Sequence, residues 1–280
     1  MKLTPRYWTW GRTGPSEGWM DGCRKDVPVV WQARLTDDPA METHLASVLS
    51  AEERSRLARL RQREDQQRFL IGRGLLRIIL GAHLSVPAKC VELAYGPFGK
   101  PFVTTPDRTP RTFGKVAADV RRSAAGDFVG KIRLLTSAAT RAAVLAAPQT
   151  SAPALQFNVS HSGKLVLLAF HSSREVGVDV EAVRPDQDWE AVALRMLPAG
   201  EYRRLASLNP KDRLTAFFQA WTRREAAVKA AGRGFVDGSN IVVDAQLETF
   251  DLAMPEGYQG AVAFQEPQAN FNIQHSAFNA

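Results

Sequence analysis

The sequence predicts an α+β protein of two similar α/β lobes, on three observations. Each half of the 280-residue chain runs through a strand, a pair of helices and then further strands. The helical segments carry apolar stripes at helical spacing, whereas the strand segments are short and apolar or alternating. Glycine and proline stand where these segments end. The lobes are expected over 1–172 and 173–280, with a site between them.

The elements follow in order. Residues 1–26 are rich in Trp, Gly, Arg and Pro without periodicity and read as an irregular lead-in. Val27–Leu35 reads as the first strand. Ser50 is a good N-cap, and Glu53 three residues later completes a capping box for a helix from Ala51 to about Leu60. A second helix over Asp65–Leu84 carries Phe69, Leu70, Leu76, Ile79 and Leu80 as its stripe. A short strand near Val91–Tyr95 precedes the turn Gly99-Lys100-Pro101. The stretch 104–152, with its Pro, Ala, Ser and Thr and one short helix near Ser137–Ala147, reads as an insertion. Strands return at Leu155–Val159, Lys164–Phe170 and Glu175–Glu181. Helices are expected near Trp189–Leu197 and over Lys211–Ala231, the latter ending at Gly232. Ile241–Ala245 and Gln259–Phe264 are the late strands.

Charge and composition narrow the function. Hydrophobic residues make up 45% and charged residues 23% of the chain, which is the balance of a folded soluble domain. The opening Met1–Arg6 leads into Trp, Gly and charged residues, so no secretory start is expected. The longest apolar run, Leu165–Phe170, is too short to cross a bilayer. Cys23 and Cys90 lack CxxC spacing, which argues against a thiolate metal site and for a reducing, cytoplasmic setting. The net charge is +7. Its surplus lies in 50–77, with eight Arg against Glu52, Glu53, Glu64 and Asp65, and in 104–152, with eight basic residues against Asp107, Asp119 and Asp127. Such patches attract an anionic partner, which charge alone does not identify.

Four segments carry chemistry. In Val176-Gly177-Val178-Asp179-Val180-Glu181 the valines share one strand face, and Gly177, Asp179 and Glu181 share the other. Two carboxylates on one face repel unless a cation or a basic side chain lies between them. Taken alone the pattern also fits a solvated polar face of an edge strand, while hard oxygen donors without His or Cys suit Mg²⁺. Gly177 would leave room for a ligand at the backbone. On the helix that follows, Glu225 and Lys229 are four residues apart and share a face; read alone, they are an ordinary surface pair. In Phe157-Asn158-Val159-Ser160-His161-Ser162, Ser160 and His161 point to opposite faces, so a Ser–His nucleophile pair is not expected, and no GxSxG elbow occurs. His161 suits a structural role or a phosphate or ribose contact. Gly96–Pro101 fails the Walker spacing because Pro101 stands where Ser or Thr is needed.

Taken in chain order, Arg68 with Gly72 and Arg77, Gly99-Lys100-Pro101, Phe157-Asn158-Val159-Ser160-His161-Ser162, Gly177-Val178-Asp179-Val180-Glu181 and Trp221…Glu225…Lys229…Gly232…Gly234-Phe235 closely resemble the larger, surfactin-synthetase type of 4′-phosphopantetheinyl transferase. The likeness runs from about Val27 to Phe264 with the insertion excluded. It implies a monomeric pseudo-dimer of two lobes that binds coenzyme A in the cleft and modifies a serine of an apo acyl- or peptidyl-carrier protein, releasing 3′,5′-ADP. By motif, Asp179, Glu181 and Glu225 correspond to the magnesium carboxylates and Lys229 to the pyrophosphate contact. Ser160 and His161 correspond to contacts at the phosphate-bearing end of coenzyme A. Lys100 and Arg68 correspond to residues holding the nucleotide and its 3′-phosphate. Glu53 stands where relatives often carry a basic residue, which leaves the 3′-phosphate to Arg56 and Arg68. Glu225 is then the base, with Lys229 beside it.

Two other classes compete. A basic nucleic-acid-binding module is disfavoured because aromatic residues are not interleaved with the basic stretches and no RRM, KH or zinc-finger signature occurs. A metal-dependent phosphodiesterase could use the same carboxylates but would need no carrier serine. Coenzyme A, Mg²⁺ and an acidic carrier are the expected ligands and partner, with neither nucleic acid nor membrane.

Overall fold

The computed structural model describes residues 2–7, 27–96, 99–104, 155–186, 188–232 and 247–265. The segment read as an irregular lead-in contains two two-residue strands, β1 (Lys2–Leu3) and β2 (Arg6–Tyr7). Strands this short have no readable period, and only tertiary pairing makes them strands. β3 (Val29–Arg34) follows. Helix α1 (Pro39–Ser47) was not expected from the apolar pattern, since Met41 and Leu45 are its buried residues. Its signal is local: Asp38 accepts from the amides of Ala40 and Met41, and Pro39 fills the first turn. Helix α2 (Ala51–Arg59) starts with the expected reciprocal box, Ser50 Oγ accepting from Glu53 N at 3.1 Å and Glu53 Oε2 from Ser50 N at 2.9 Å. Helix α3 (Arg63–Leu84) follows.

The remaining elements are β4 (Leu93–Tyr95), β5 (Pro101–Val103), β6 (Gln156–Ser162), β7 (Leu165–His171) and β8 (Val176–Ala182). Helices α4 (Trp189–Met196), α5 (Ala199–Ala206) and α6 (Pro210–Ala230) come next, then β9 (Leu247–Leu252) and β10 (Tyr258–Gln265). Helix α5 and strand β9 were missed; α5 is a mostly polar helix with Leu205 as its buried residue. The expected helix at 137–147 and strand at 241–245 lie outside the described residues, as do the insertion beyond Thr104 and the tail beyond Gln265. Among the described residues no helix is long and apolar enough to cross a membrane.

Contacts divide the chain into two compact units. The small one comprises 92–94 and 103–153, and in its described part Thr104 N donates to the Glu92 carbonyl at 3.0 Å. The large one comprises 1–91, 95–102 and 154–280 and holds two four-stranded sheets, ordered β2-β3-β7-β6 and β1-β9-β10-β8. Both sheets have the same plan. A first strand (β3 or β8) leads into helices, and the next two strands of the same sheet (β6 and β7, or β9 and β10) pair antiparallel so that the last (β7 or β10) lies between the other two. This α+β repeat agrees with the sequence reading. The connection between the two repeats falls between His171 and Val176. The first strand of the chain joins the second sheet: β1 pairs parallel with β9, while β2 pairs parallel with β3.

The two sheets bury a common core. Val30, Leu165, Leu167 and Ala169 of one meet Val176, Val178, Val180, Val262 and Phe264 of the other. These are alternate residues along their strands, so the opposite face of β8 is left for α6. On the neighbouring strand β10 the helix packs through small residues, Ala226, Ala227 and Ala230 against Ala261 and Ala263. Small side chains bring the helix close to the sheet, and this closeness shapes the site.

Candidate active site

Helix α6 and strand β8 bring the predicted acidic residues together. Gly177 supports that contact in a way the sequence reading did not anticipate. It does not open the backbone to a ligand; a Cβ there would collide with the Ala226 carbonyl oxygen and the Ala230 amide. The empty side of Gly177 is filled by helix backbone. Asp179 and Glu181, further along the same face, therefore look toward the α6 surface that carries Glu225 and Lys229.

Strand β6 completes the wall, and its side chains alternate as predicted. Ser160 is buried (7% exposed), whereas His161 is exposed on the opposite face. β8 is an edge strand of its sheet, and β6 side chains supply partners that a further strand would otherwise offer. Asn158 Oδ1 accepts from Val178 N at 3.0 Å, and Ser162 Oγ accepts from Ala182 N at 3.1 Å. Ser160 Oγ donates to Asp179 Oδ1 at 2.9 Å and Ser162 Oγ to Glu181 Oε2 at 2.7 Å. Positions i, i+2 and i+4 of one strand thus satisfy backbone and carboxylate groups of another.

Lys229 Nζ contacts Asp179 Oδ1 at 2.5 Å and Ser160 Oγ at 3.2 Å. Ser160 is thereby turned toward Asp179 and Lys229. Burial pushes the Glu225 carboxyl up to about 7; Lys229 works against this, while Asp179 and Glu181 add to it. Burial also raises Glu181, opposed by the Ser162 hydroxyl and reinforced by Asp179. Asp179 thus disfavours the charge of both glutamates.

The donor chemistry, carboxylate oxygen without thiolate or imidazole, is the kind a hard divalent cation takes. Asp179 is 3% exposed, and its Oδ2 is buried without a hydrogen-bond partner. An orphaned carboxylate oxygen is costly unless something positive meets it. Among the described residues no three or more His, Cys, Asp or Glu side chains are gathered so as to hold a metal ion by themselves. Mg²⁺ retains water and takes substrate phosphate as ligands, so it is commonly held by one or two carboxylates.

Beside this cluster lies a cavity of about 350 Å³ whose lining includes Glu225, Lys229, His161, Lys100, Arg56 and Arg68. Arg56 and Arg68 reach it from α2 and α3, Lys100 from the turn before β5, and His161 from β6. Although His161 is exposed by surface area, the protein packed around its ring desolvates it enough to lower its pKa, and the Arg68 guanidinium adds to the effect. Arg68 is already engaged, donating to Asp65 at 2.7 Å, the Gly163 carbonyl at 2.8 Å and Glu64 at 3.2 Å. Lys100 Nζ is held by Glu175 at 2.7 Å, the Val176 carbonyl at 3.1 Å and the Lys229 carbonyl at 3.2 Å. Lys100 therefore also caps the C-terminal end of α6.

Arg73 also lines the cavity and was not singled out by sequence. Its guanidinium lies 5.4 Å from the Tyr95 ring centroid, and its Nη1 is buried without a hydrogen-bond partner. The available signal was Gly72-Arg73-Gly74, since glycines inside a helix mark close packing. A Cβ on Gly74 would press within 2.7 Å of Leu45. Glu53 is not in the cavity lining. It is 5% exposed and accepts from Arg77 Nε at 2.5 Å, and Arg77 also reaches the Val91 carbonyl at 2.9 Å. Its acidity serves the packing of α2 on α3. Arg233, Gly234 and Phe235 lie outside the described residues.

The chain is similar in sequence to known proteins. Residues 175–276 match the model of the 4′-phosphopantetheinyl transferase superfamily, and 37–131 match that of the 4′-phosphopantetheinyl transferase N-terminal region. The 4′-phosphopantetheinyl transferase HetI of Nostoc sp. is 30% identical over 80% of this chain and 73% of its own length. The 4′-phosphopantetheinyl transferase AcpT of Salmonella typhimurium is 41% identical over 28% of this chain and 41% of its own length. A 4′-phosphopantetheinyl transferase of Bacillus subtilis is 22% identical over 69% of this chain and 64% of its own length.

Proposed function

The chain belongs to the 4′-phosphopantetheinyl transferases, and we propose that it moves the phosphopantetheine arm of coenzyme A onto a serine of an acidic apo acyl- or peptidyl-carrier protein, with Mg²⁺. The observation that carries this reading is the convergence of Asp179, Glu181, Glu225 and Lys229 beside a cavity lined by cationic side chains. The serine hydroxyl attacks the phosphorus that bears pantetheine, the bridging P–O bond breaks, and 3′,5′-ADP leaves. Glu225 accepts the serine proton in its ionised form, and burial, which raises its proton affinity, makes that carboxylate a stronger base. Lys229 leaves Asp179 for the pyrophosphate and balances charge there. Asp179, Glu181 and Glu225 would hold Mg²⁺, which when bound neutralises the phosphate oxygens. Lys100 and His161 contact the nucleotide and phosphate end, with Ser160 behind them, and Arg56 and Arg68 take the 3′-phosphate. The enzyme acts as a cytoplasmic monomer of two lobes, 1–172 and 173–280.

Intact mass of an apo-carrier after incubation with the protein, coenzyme A and Mg²⁺ tests the reaction. One added phosphopantetheine is expected, and none on a carrier with its serine changed to alanine. Steady release of 3′,5′-ADP without any carrier would instead identify a phosphodiesterase.

A further inference from the structure

Ser162 is the one hydroxyl in the wall that ties a carboxylate and its own strand together. It accepts from the Ala182 amide at 3.1 Å and donates to Glu181 Oε2 at 2.7 Å. Both contacts cross from β6 of one repeat to β8 of the other, and they fall on adjacent residues. The amide fixes the hydroxyl along β8, and the hydroxyl proton then fixes one Glu181 oxygen. Glu181 has a second restraint in Arg184, but that guanidinium is largely exposed and stands 4.0 Å away, a separation at which little orientation is imposed. Asp179, by contrast, is held by both Ser160 and Lys229. The aim of Glu181 therefore depends on Ser162.

We propose that Ser162 is a positioning residue that aims Glu181 at the cation site, so that one repeat sets the metal affinity of carboxylates carried by the other. This rests on the reading of Asp179 and Glu181 as metal ligands. A partner that orients a ligand without touching the ion changes affinity by about 10–100-fold when removed. The effect belongs to metal binding, with coenzyme A affinity left to the cationic side of the cavity.

The probe is Mn²⁺, titrated into the full chain with coenzyme A present and carrier absent, and followed by electron paramagnetic resonance. Ser162→Ala should weaken Mn²⁺ binding about 10–100-fold, and Ser162→Thr, which keeps the hydroxyl, should restore most of it. In turnover assays Ser162→Ala should raise the Mg²⁺ concentration giving half-maximal rate, and saturating Mg²⁺ should return the rate close to wild type. Should Ser162→Ala fail to fold, Ser162→Cys replaces it, because a thiol donates too weakly to hold a carboxylate. Wild-type Mn²⁺ affinity in the Ala or Cys variant overturns the inference, as does a Thr variant no better than Ala. Glu181→Ala separates the two layers of the argument. If it abolishes Mn²⁺ binding while Ser162→Ala does not, only the role of Ser162 is lost. If Asp179→Ala and Glu181→Ala both bind Mn²⁺ as wild type does, the metal assignment falls and the inference with it.

Discussion

Lys229 Nζ stands 2.5 Å from Asp179 Oδ1, so a helix ammonium neutralises a strand carboxylate buried to 3% exposure. Without its partner that carboxylate keeps only the Ser160 hydroxyl. Lys229→Met should destabilise the metal-free protein by about 1–3 kcal/mol, the cost of leaving a buried polar group unmatched. Millimolar Mg²⁺ should recover part of this loss by meeting the same oxygen. Denaturant unfolding in EDTA and in Mg²⁺ makes the comparison; no change in EDTA would show that the pair contributes nothing. Coenzyme A binding and turnover should weaken together, because phosphate meets this charge before and during the reaction.

Glu225 gives a pH signature. Its folded-state carboxyl is raised to about 7 from an ordinary 4.5. Between those values the folded protein holds the proton more tightly than the unfolded chain does. The protonated group therefore contributes stability below its unfolded value, and that contribution is lost as pH rises toward the folded one. Glu225→Gln removes the titration, so its melting temperature in EDTA should gain on wild type as pH goes from 5 to 8. A constant difference across that range would contradict the shift. The same variant should bind coenzyme A yet lose turnover.

The cationic side of the cavity sets a preference between substrates. A charge-assisted contact contributes about 1.5–3 kcal/mol, so coenzyme A should be favoured over dephospho-coenzyme A roughly ten- to a hundredfold. Arg56→Ala and Arg68→Ala should each shrink that ratio. Arg73→Ala should shrink it too if the unpartnered Nη1 meets the 3′-phosphate. Relative kcat/KM for the two substrates decides, and a ratio unmoved by all three variants would displace the 3′-phosphate from this wall.

Gly177→Ala is expected to be more damaging than its one added carbon suggests. The new Cβ meets backbone of α6 at Ala226 and Ala230, which cannot rotate away. The helix must shift off β8, carrying Glu225 and Lys229 with it. A lowered melting temperature together with lost activity is expected, whereas an intact, fully active variant would show that α6 has slack against the sheet.

Glu53 and Arg77 are a structural pair, buried to 5% and 3% exposure. Breaking such a pair from one side costs about 3–5 kcal/mol. Glu53→Gln should therefore lower stability by a value near that range without changing the preference for coenzyme A over dephospho-coenzyme A. Glu53→Lys should unfold the protein rather than create a phosphate contact. Tighter coenzyme A binding by a folded Glu53→Lys would reverse this assignment.

The sequence by itself determined the long helices, the three strands β6 to β8 and the face shared by Asp179 and Glu181, because 3.6- and 2-residue periods are local properties of the chain. It also determined that Ser160 and His161 face apart, and that Glu225 and Lys229 face together. Motif order was enough to indicate the family. Only the tertiary structure decided what each face meets. Gly177 could be read as room for a ligand or as room for a helix, and the backbone of α6 settles it. Glu53 reads as a cap and as a missing phosphate contact; it is the cap, and its carboxylate is also buried against Arg77, 24 residues on. Lys2–Leu3 becomes a strand because β9, some 250 residues later, offers an edge. Ser162 gains a role from Ala182 and Glu181 for the same reason. Periodicity fixes the direction of a side chain relative to its own backbone, whereas its partner depends on contacts between distant segments, which no local pattern encodes.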